Sequence, residues 1–421
     1  MNVIIKNSPL EGVINIPSSK SLCHRAIIAA SLASGVSKIS NITFSKDILA
    51  TIDAMKSCGA KIDIDGNTLT IHGSKVKRVN RLIDANESGS TIRFMIPIAL
   101  VCNEEITFTG KNNLVNRPLD PFFTIFDELN IKYERGEAYL PLKVYSGLKS
   151  GIYKIRGDIS SQFITGLLYA LPLLDGDSKI VVTTNLESKG YIDLTLDVLK
   201  DFGISIINNN YQEFMIKGNQ EYKPHDYSVE GDFSQSAFFL VANLLGANIS
   251  LSMMNMDSHQ GDKKILQDLE DFGAIISYKD GLLRADSNNL HGATIDFSQS
   301  PDLGPALTVL ASLVDGESKF INAARLRIKE CDRITCMKEE LEKLGAKITE
   351  FADGMDITGV KRFKGATVSS HNDHRVAMSL AMASLKCDGD IKILNAECVS
   401  KSFPSFWKEF EKLGGQVIYE D

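Results

Sequence analysis

The chain has 421 residues, of which 43% are hydrophobic and 24% are charged, and its net charge is −7 at pH 7. This composition is typical of a globular protein of more than one domain and excludes a disordered chain. The apolar runs are far shorter than the roughly 20 residues of a membrane span, and the acidic balance argues against nucleic acid as a partner. Seven scattered cysteines without CxxC spacing indicate reduced thiols and a cytoplasmic protein.

A repeat with a nearly constant period runs through the whole chain. Six times a helix-like stretch ends at a glycine or an asparagine and is followed by a short apolar strand. The intervals between these pivots are 71, 73, 70, 72 and 69 residues, and the pivots are Gly59, Asn130, Gly203, Gly273, Gly345 and Gly414. Such regularity predicts six copies of one supersecondary element. Each pivot is expected to adopt the left-handed conformation that ends a helix, which asparagine also tolerates.

The predicted elements follow the same order in each repeat. Period-two alternation predicts strands and 3.6-residue periodicity predicts helices, which together give a βαβαββ pattern. The first repeat is predicted as a strand at 11–17, helices at 19–33 and 46–58, and strands at 37–40, 61–64 and 68–73. The third repeats this with helices that begin at Ser161 and Ile192. The sixth lacks its last strand, and we expect the N-terminal strand at residues 2–6 to supply it.

This pairing of the two chain ends predicts a discontinuous domain. We expect residues 1–17 and 231–421 to form one domain of three repeats, and residues 18–230 to form an inserted domain of three more. The fold class is therefore α/β, with two domains of related architecture.

Cationic side chains concentrate where the helices begin. The first helix of each repeat follows a polar segment, such as SSKSLCHR, NESGSTIR, DISSQF or NDHRVAM. Helix N-termini attract anions through their exposed N–H groups and their dipole. The cations at these starts are Lys20, Arg25, Arg93, Arg117, Lys329, Arg333, Arg375 and Lys401. Any one of them could be a surface charge or a cap partner, but together they predict an anion-binding site.

Other polar residues at the helix starts have two possible roles. Serines there usually cap helices, yet the SSQ run could wrap a phosphate or a polyol; this group is Ser21, Ser160, Ser161, Gln162 and Ser188. Asp302 is either a cap or a proton carrier. Glu330 lies next to Lys329 and three residues before Arg333, which suits acid–base work.

Metal chemistry is not expected from this sequence. His371 and His374 have HxxH spacing, but no third ligand accompanies them. Cys331 and Cys336 have no zinc pattern and are interpreted as structural. No phosphate-binding glycine loop of a known nucleotide fold is present.

Nine segments, in order along nearly the whole chain, resemble the 5-enolpyruvylshikimate-3-phosphate synthase family. They are SSKSLCHRA, NESGSTIRF, NRPLDPF, SSQF, SKGYIDLTL, SPDLGPAL, RIKECDR, NDHR and KSFPSF. The resemblance implies two domains, each with three βαβαββ units around a pseudo-threefold axis, and a cleft that closes on substrate. It also implies transfer of the enolpyruvyl group of phosphoenolpyruvate to the 5-hydroxyl of shikimate 3-phosphate by addition and elimination, in the biosynthesis of aromatic amino acids.

The resemblance assigns roles to individual residues. The implied contacts of shikimate 3-phosphate are Lys20, Ser21, Arg25, Ser160, Ser161, Gln162, Ser188, Asp302 and Lys329. The implied contacts of phosphoenolpyruvate are Lys20, Gly89, Arg117, Gln162, Arg333, Arg375 and Lys401. Asp302 and Glu330 match the proton acceptor and the proton donor, and Lys20 is the third catalytic residue. No cofactor, metal, nucleic acid or membrane partner is implied, and we expect a monomer.

Two positions depart from the family pattern. Glu87 and Ser88 precede Gly89 where relatives often have Asn-Ala, and Arg325 replaces an asparagine of some relatives. A UDP-N-acetylglucosamine enolpyruvyl transferase is the alternative enzyme, but that family has Lys-Asn where this chain has Lys20 and Ser21. It also has a catalytic cysteine in the loop that here reads GKNNLVNRP. A non-catalytic repeat scaffold would have no reason to gather cations at its helix starts.

Overall fold

The computed structural model describes residues 1–420, which divide into two compact units. The discontinuous unit contains Met1–Ser19 and the chain from Glu230 onward, and the inserted unit is Lys20–Val229. The sequence bounds of 1–17, 18–230 and 231–421 thus differ from these by one or two residues. No helix among the described residues has the length and apolar character needed to cross a bilayer.

The N-terminal half contains two leading strands and three repeats. The leading strands are β1 (Asn2–Lys6) and β2 (Glu11–Asn15). The first repeat contains α1 (Lys20–Leu32), β3 (Gly35–Ser40), α2 (Lys46–Ser57), β4 (Lys61–Asp65) and β5 (Thr68–Gly73). The second contains β6 (Leu82–Asp84), α3 (Gly89–Ala99), β7 (Ile106–Thr109), α4 (Asp120–Glu128), β8 (Tyr133–Arg135) and β9 (Leu142–Val144). The third contains β10 (Ile152–Ile155), α5 (Ser161–Ala170), β11 (Ser178–Val182), α6 (Lys189–Asp201), β12 (Ile206–Asn209) and β13 (Glu213–Ile216).

The C-terminal half continues the same series. The fourth repeat contains α7 (Phe233–Leu244), β15 (Asn248–Ser252), α8 (Ile265–Asp271), β16 (Ile275–Lys279) and β17 (Leu282–Asp286), after the short strand β14 (Tyr227–Ser228). The fifth contains β18 (Thr294–Asp296), α9 (Gly304–Ala311), β19 (Glu317–Ile321), α10 (Arg333–Lys343), β20 (Lys347–Phe351) and β21 (Gly354–Thr358). The sixth contains β22 (Phe363–Ser369), α11 (His374–Ala383), β23 (Cys387–Leu394), α12 (Phe406–Lys412) and β24 (Gln416–Glu420).

Each repeat forms one four-stranded mixed sheet of the same topology. The six strand orders are β14-β3-β5-β4, β6-β7-β9-β8, β10-β11-β13-β12, β2-β15-β17-β16, β18-β19-β21-β20 and β22-β23-β1-β24. The first two strands in each order are parallel, and the remaining pairs are antiparallel. Parallel neighbours require a long crossover, which in most repeats is the helix between the two strands. Strand β1 pairs with both β23 and β24, with Val3 opposite Ile393 and Tyr419. The N-terminal strand therefore completes the sixth repeat, as expected.

The first repeat differs from its prediction in the strand that opens it. Strand β2 was predicted to open that repeat, but it pairs in parallel with β15 and belongs to the fourth. Strand β14, at the end of the inserted unit, takes its place beside β3. The chain passes between the units at residues 19–20 and again at 229–230. Just before each crossing the chain forms one edge strand, β2 or β14, of a sheet in the unit that it leaves. A local pattern cannot reveal this exchange, since the partners of β2 and β14 lie far from them in the chain.

Each unit has its own hydrophobic core built around three central helices. In the inserted unit, helices α1, α3 and α5 are buried along almost their whole length. Helices α7, α9 and α11 are the counterparts in the discontinuous unit. The second helix of every repeat keeps a polar face. Full burial of one aliphatic side chain stabilises the folded state by about 1.5–3 kcal/mol. Because the central helices bury many such side chains, their starts are held in fixed positions.

The six pivots adopt the conformation expected of them. Their φ angles range from 54° at Asn130 to 106° at Gly59, and all are positive. The left-handed residue ends each second helix and turns the chain into the next strand.

Candidate active site

In the inserted unit, side-chain contacts connect the starts of successive helices. The Lys20 ammonium, at the start of α1, lies 2.9 Å from Asp47 Oδ2 in the first turn of α2. The Asp47 carbonyl accepts a hydrogen bond from the Thr91 hydroxyl in α3 at 3.4 Å. The Arg93 guanidinium donates to Gln162 Oε1 in α5 at 2.8 Å and to the Pro118 carbonyl, just before α4, at 3.2 Å. The positive ends of these helices therefore lie together.

Arg25 is a buried cation held by neutral oxygens. Its side chain donates to the Thr195 hydroxyl at 2.9 Å, to the Ser21 carbonyl at 2.8 Å and to the Tyr191 carbonyl at 2.9 Å. Its residue exposure is only 2%. Burial lowers the pKa of Arg25, because desolvation disfavours the charged form. Because the oxygens that bind Arg25 carry no net charge, an anion bound nearby would stabilise the buried guanidinium.

Gly89 lies directly against Arg117. Gly89 opens α3, which Ser88 caps by accepting a hydrogen bond from the Thr91 amide at 3.1 Å. A β-carbon at Gly89 would lie 2.7 Å from Nη1 of Arg117 and 3.0 Å from its Cζ. The absence of a side chain at residue 89 therefore lets the guanidinium approach the helix start closely.

The serines predicted for the site have different environments. Ser160 caps α5 by accepting from the Gln162 amide at 3.3 Å, so its capping role is present. Ser161 is the buried first residue of that helix, and Nε2 of the Gln162 side chain donates to Ser90 Oγ at 2.9 Å. Ser188 precedes α6 with φ 56° and ψ 47°, and its side chain makes no capping bond. A serine in this left-handed conformation costs about 1 kcal/mol, which is typical of functional sites.

In the discontinuous unit, Asp302 is surrounded by three cations. Its Oδ1 lies 3.1 Å from Lys329 Nζ and 2.9 Å from Arg333 Nη1, and its Oδ2 lies 3.2 Å from Arg375 Nη2. Burial alone would raise the pKa of Asp302, but Arg375, Lys329 and Arg333 hold it well below its usual range. Asp302 therefore does not cap a helix here; it is an ionised carboxylate among cations.

Arg333 connects three carboxylates through three different nitrogens. Nε donates to Asp373 at 2.7 Å, Nη1 to Asp302 at 2.9 Å and Nη2 to Glu330 at 2.8 Å. Glu330 is also 3.4 Å from Lys401 Nζ. Because the Arg333 side chain is 1% exposed, these pairs are poorly screened by water. The cluster contains four cations and three carboxylates, so it keeps one net positive charge.

The pKa values of Lys329, a member of this cluster, and of nearby Asp262 are both shifted from their usual values. Burial lowers the pKa of Lys329 to about 8, although Asp302 opposes the shift. Asp262 is buried before α8 and contacts the Ser234 hydroxyl at the start of α7. Burial, and then the nearby Asp302 charge, raise the pKa of Asp262 to about 6. Charges at the helix starts of this unit therefore shift one another's pKa values. In the inserted unit, the helix starts are connected by direct side-chain contacts.

Sequence reasoning did not single out three residues that the structure places in these clusters. They are Asp47, which pairs with Lys20, Asp262 and Thr195. The segments SKDIL and SHQGDKK, which precede second helices, contained the signal for the two aspartates. Asp373 caps α11 and also orients Arg333, since it accepts from the backbone amide of Arg375 at 2.8 Å and from Arg333 Nε at 2.7 Å.

The positions that depart from the family pattern have local partners. Glu87 accepts a hydrogen bond from the Asn112 amide at 2.9 Å on the surface. Arg325 is largely buried and donates to the Ser298 carbonyl at 3.4 Å. His371 and His374 do not share a ligand position: His371 Nε2 lies 2.7 Å from Glu340, whereas His374 is buried beside Asp373.

Comparison with known proteins agrees with this architecture. Residues 4–410 match the family described as EPSP synthase (3-phosphoshikimate 1-carboxyvinyltransferase). A protein of that name from Clostridium perfringens is 51% identical over 98% of both chains, and one from Clostridium novyi is 52% identical over 99% of this chain and 98% of its own. This chain belongs to the EPSP synthase family. The resemblance inferred from the nine segments is thereby confirmed.

Solved EPSP synthase structures confirm the predicted fold class. Two from Acinetobacter baumannii align over 100% of both chains with a TM-score of 0.81, at 25% sequence identity. The fold therefore persists where three quarters of the residues differ. Membership of this family also disfavours a non-catalytic scaffold.

Replacing Gly89 with alanine is expected to raise the KM for phosphoenolpyruvate about tenfold, because the new methyl group displaces Arg117, which the family resemblance predicts to bind that anion in a bidentate manner. The free energy of unfolding should not fall, since alanine favours a helix more than glycine does. Steady-state kinetics and thermal denaturation measure both quantities. In an Arg117→Ala background, Gly89→Ala should have no further effect on KM; full additivity would contradict a route through Arg117.

Proposed function

We propose that this chain transfers the enolpyruvyl group of phosphoenolpyruvate to the 5-hydroxyl of shikimate 3-phosphate and releases phosphate. Family membership gives the reaction class. The observation that carries the assignment to residues is the convergence of Lys329, Arg333 and Arg375 on Asp302, with Glu330 bound to the same arginine. Both substrates carry a carboxylate and a phosphate, so their encounter requires fixed cations that offset the repulsion.

We propose a set of contact residues for each substrate. For shikimate 3-phosphate they are Lys20, Ser21, Arg25, Ser160, Ser161, Gln162, Ser188, Asp302 and Lys329. For phosphoenolpyruvate they are Lys20, Gly89, Arg117, Gln162, Arg333, Arg375 and Lys401. The Arg117 guanidinium beside the start of α3, and the surplus positive charge around Arg333, support the second set. All these residues lie in one chain, so a monomer is the proposed active form.

The proposed chemistry has two proton-transfer stages. In the addition, the 5-hydroxyl oxygen bonds to C2 of phosphoenolpyruvate, its proton goes to Asp302, and Glu330 delivers a proton to the methylene carbon. In the elimination, the new methyl group returns a proton to the Glu330 carboxylate, the bond between C2 and the phosphate oxygen breaks, and the leaving phosphate takes the proton held by Asp302. Fixed positions of the acid, base and cations supply the rate enhancement.

Substrate binding changes the basicity of Asp302 in this scheme. In the structure its two oxygens bind Lys329, Arg333 and Arg375, which makes it a weak base. Phosphate and carboxylate groups of the substrates compete for the same cations. Their arrival therefore raises the pKa of Asp302 and allows it to accept a proton only when both substrates are present.

The test is phosphate release from phosphoenolpyruvate by the purified protein. Release is expected only when shikimate 3-phosphate is present, together with formation of the enolpyruvyl ether. UDP-N-acetylglucosamine serves as the control acceptor. Release with that nucleotide sugar, or no release with shikimate 3-phosphate, would overturn the proposal.

Replacing Glu330 with glutamine is expected to lower kcat about 100-fold or more with a smaller change in KM, because the amide cannot deliver a proton. The hydrogen bond to Arg333 can persist through the amide oxygen. Single-turnover kinetics separates binding from chemistry. Glu350→Gln is the matched control, since Glu350 pairs with Arg327 at 3.7 Å outside the assigned residues. Unchanged turnover in Glu330→Gln would remove Glu330 from acid–base catalysis.

The activity is expected to depend on the charge of Lys329. Its pKa of about 8 lies below the usual lysine value, so the cation is present at neutral pH and is lost as the pH rises through 8. kcat/KM should therefore fall about tenfold per pH unit in that range. Lys329→Arg should remove this decline, because a guanidinium stays charged. Lys319→Arg, at an exposed position of β19, should leave the profile unchanged.

A further inference from the structure

Buried hydrogen bonds connect the first three helices of the inserted unit through a hydroxyl network of four residues (His24, Thr51, Thr91 and Ser88). Nδ1 of His24, in α1, lies 2.7 Å from the Thr51 hydroxyl of α2, which lies 2.7 Å from the Thr91 hydroxyl of α3. The Thr91 hydroxyl lies 2.8 Å from that of Ser88, the residue that caps α3. Each of the four residues has an exposure of 0%. None of them is among the proposed substrate contacts, so the hydroxyl network is a separate feature of the inserted unit.

The Asp47 carbonyl determines which groups of the hydroxyl network donate. A carbonyl oxygen can only accept, so the Thr91 hydroxyl donates to it, at 3.4 Å. Because a hydroxyl has one proton, Thr51 donates to Thr91, and the Nδ1–H of His24 donates to Thr51. The other ring nitrogen, Nε2, has no hydrogen-bond partner among the described residues, which suits an unprotonated nitrogen, since buried N–H groups are rarely left unpaired. Burial lowers the pKa of His24 to about 3, so the ring is uncharged at neutral pH.

The hydroxyl network ends at two helix starts that carry proposed site residues. At the start of α2, Thr91 bonds to the backbone of Asp47, whose carboxylate lies 2.9 Å from the Lys20 ammonium. At the start of α3, it bonds to the cap residue that precedes Gly89, where a β-carbon would lie 2.7 Å from Nη1 of Arg117. Hydrogen bonds are stronger in surroundings without water, and linked bonds strengthen one another. The network therefore fixes the spacing between these two helix starts.

We propose that His24, Thr51 and Thr91 are positioning residues, which hold Lys20 and Gly89 at the spacing that the transferase reaction requires. They do not touch a substrate. They act through the Lys20 ammonium and through the guanidinium beside Gly89, both of which are proposed to contact phosphoenolpyruvate. This role in the reaction rests on the proposed function, whereas the effect of the hydroxyl network on the start of α3 does not.

Replacing Thr51 with valine tests the middle of the hydroxyl network, since valine has nearly the shape of threonine but no hydroxyl. Thr51→Val should lower kcat/KM for phosphoenolpyruvate about tenfold, because small displacements of fixed groups are costly in catalysis. Thr51→Ser keeps the hydroxyl and loses a buried methyl group, so it should lower the midpoint of thermal denaturation and keep kcat/KM within about twofold. Steady-state kinetics and thermal denaturation measure both variants. Activity that follows stability alone in the two variants would overturn the proposal.

Thr308→Val is the matched control in the other unit. Thr308 is also fully buried, and its hydroxyl donates to the Gly304 carbonyl within its own helix, α9, at 2.8 Å. This replacement should leave kcat/KM within about twofold. Thr91→Val should resemble Thr51→Val, and the double variant should lose little more than either single one, since both remove the same bond. A loss equal to the product of the two single losses would contradict a shared network.

Replacing His24 with phenylalanine tests the first member of the hydroxyl network. Phenylalanine keeps the ring, which meets Phe94 edge-on with 6.3 Å between the ring centroids, and removes Nδ1. His24→Phe should lower kcat/KM about fivefold, the usual effect of losing one hydrogen bond. His24→Asn should restore most of it, because the amide can donate to Thr51. Full activity of His24→Phe would contradict a positioning role for His24.

Amide hydrogen exchange tests the hydroxyl network without a substrate. At the start of α3, the Thr91 amide donates to Ser88 Oγ and the Ile92 amide to the Ser88 carbonyl, both at 3.1 Å. Thr51→Val should speed exchange at these two amides about tenfold, and Thr308→Val should not. Unchanged exchange in Thr51→Val would overturn the proposal. If the unsubstituted protein has no transferase activity, the proposed function fails, and the exchange result still decides whether the network holds the start of α3.

Discussion

Replacing Lys20 with methionine is expected to lower kcat/KM by about 10²–10³-fold, the usual effect of removing one fixed donor that stabilises developing negative charge. Methionine keeps the length and the apolar stem of lysine but has no charge. Lys20 is proposed to contact both substrates, so kcat and KM should change together. Steady-state kinetics with each substrate varied in turn measures the two effects.

The control for this variant must account for Asp47. Its carboxylate lies 2.9 Å from the Lys20 ammonium and is almost fully buried, so Lys20→Met leaves a poorly solvated charge. The double variant Lys20→Met/Asp47→Asn removes that charge and should recover stability without recovering activity. Lys46→Met, at an exposed neighbouring helix position, should change neither. Full activity in Lys20→Met would exclude Lys20 from the site.

Replacing Arg333 with lysine is expected to reduce kcat/KM by about 100-fold or more, although the formal charge is kept. Arg333 binds Asp373, Asp302 and Glu330 through three separate nitrogens, and a lysine ammonium cannot occupy all three positions. At least one of these carboxylates then loses its contact with residue 333, and Asp373 among them is fully buried. The free energy of unfolding should therefore fall by about 3 kcal/mol, as is usual when a buried pair is broken.

Arg327→Lys is the matched control. Arg327 also makes a fork of contacts, to Asp332 at 2.7 Å and to the Phe351 and Ala352 carbonyls, but its side chain is 25% exposed. Its replacement should cost less than 1 kcal/mol and leave kcat/KM within about twofold. Chemical denaturation and steady-state kinetics measure both variants. Equal effects of the two replacements would contradict a special role for the Arg333 cluster.

Much of the local structure could be predicted because it depends on neighbours in the chain. The left-handed pivots, including Asn130, follow from the residue types at the ends of helices. The helix starts at Ser161 and the strand at residues 2–6 follow from periodicity and caps. The capping of α11 by Asp373 was also foreseeable, since a short acidic side chain preceding a helix accepts from its first amides.

The partners of the charged residues could not be predicted in this way. Asp302 was a plausible cap in the sequence, but both of its oxygens pair with cations, three in number, from two other segments of the chain. His371 was considered as a metal ligand in the sequence, but its Nε2 lies 2.7 Å from Glu340 of α10, a contact made only by the packing of α10 against the segment before α11. Likewise, nothing local distinguishes Lys20, which pairs with a buried carboxylate, from an exposed lysine.

The sequence by itself determined the repeat, its βαβαββ pattern, the family and the residue types at the helix starts, because each of these depends on short spacings along the chain. Only the tertiary structure decided which strand completes which sheet, as the exchange of β2 and β14 demonstrates. It also decided which charges pair and how their proton affinities shift. Those properties depend on distances and burial between residues far apart in the chain, and Coulomb energies change steeply with both.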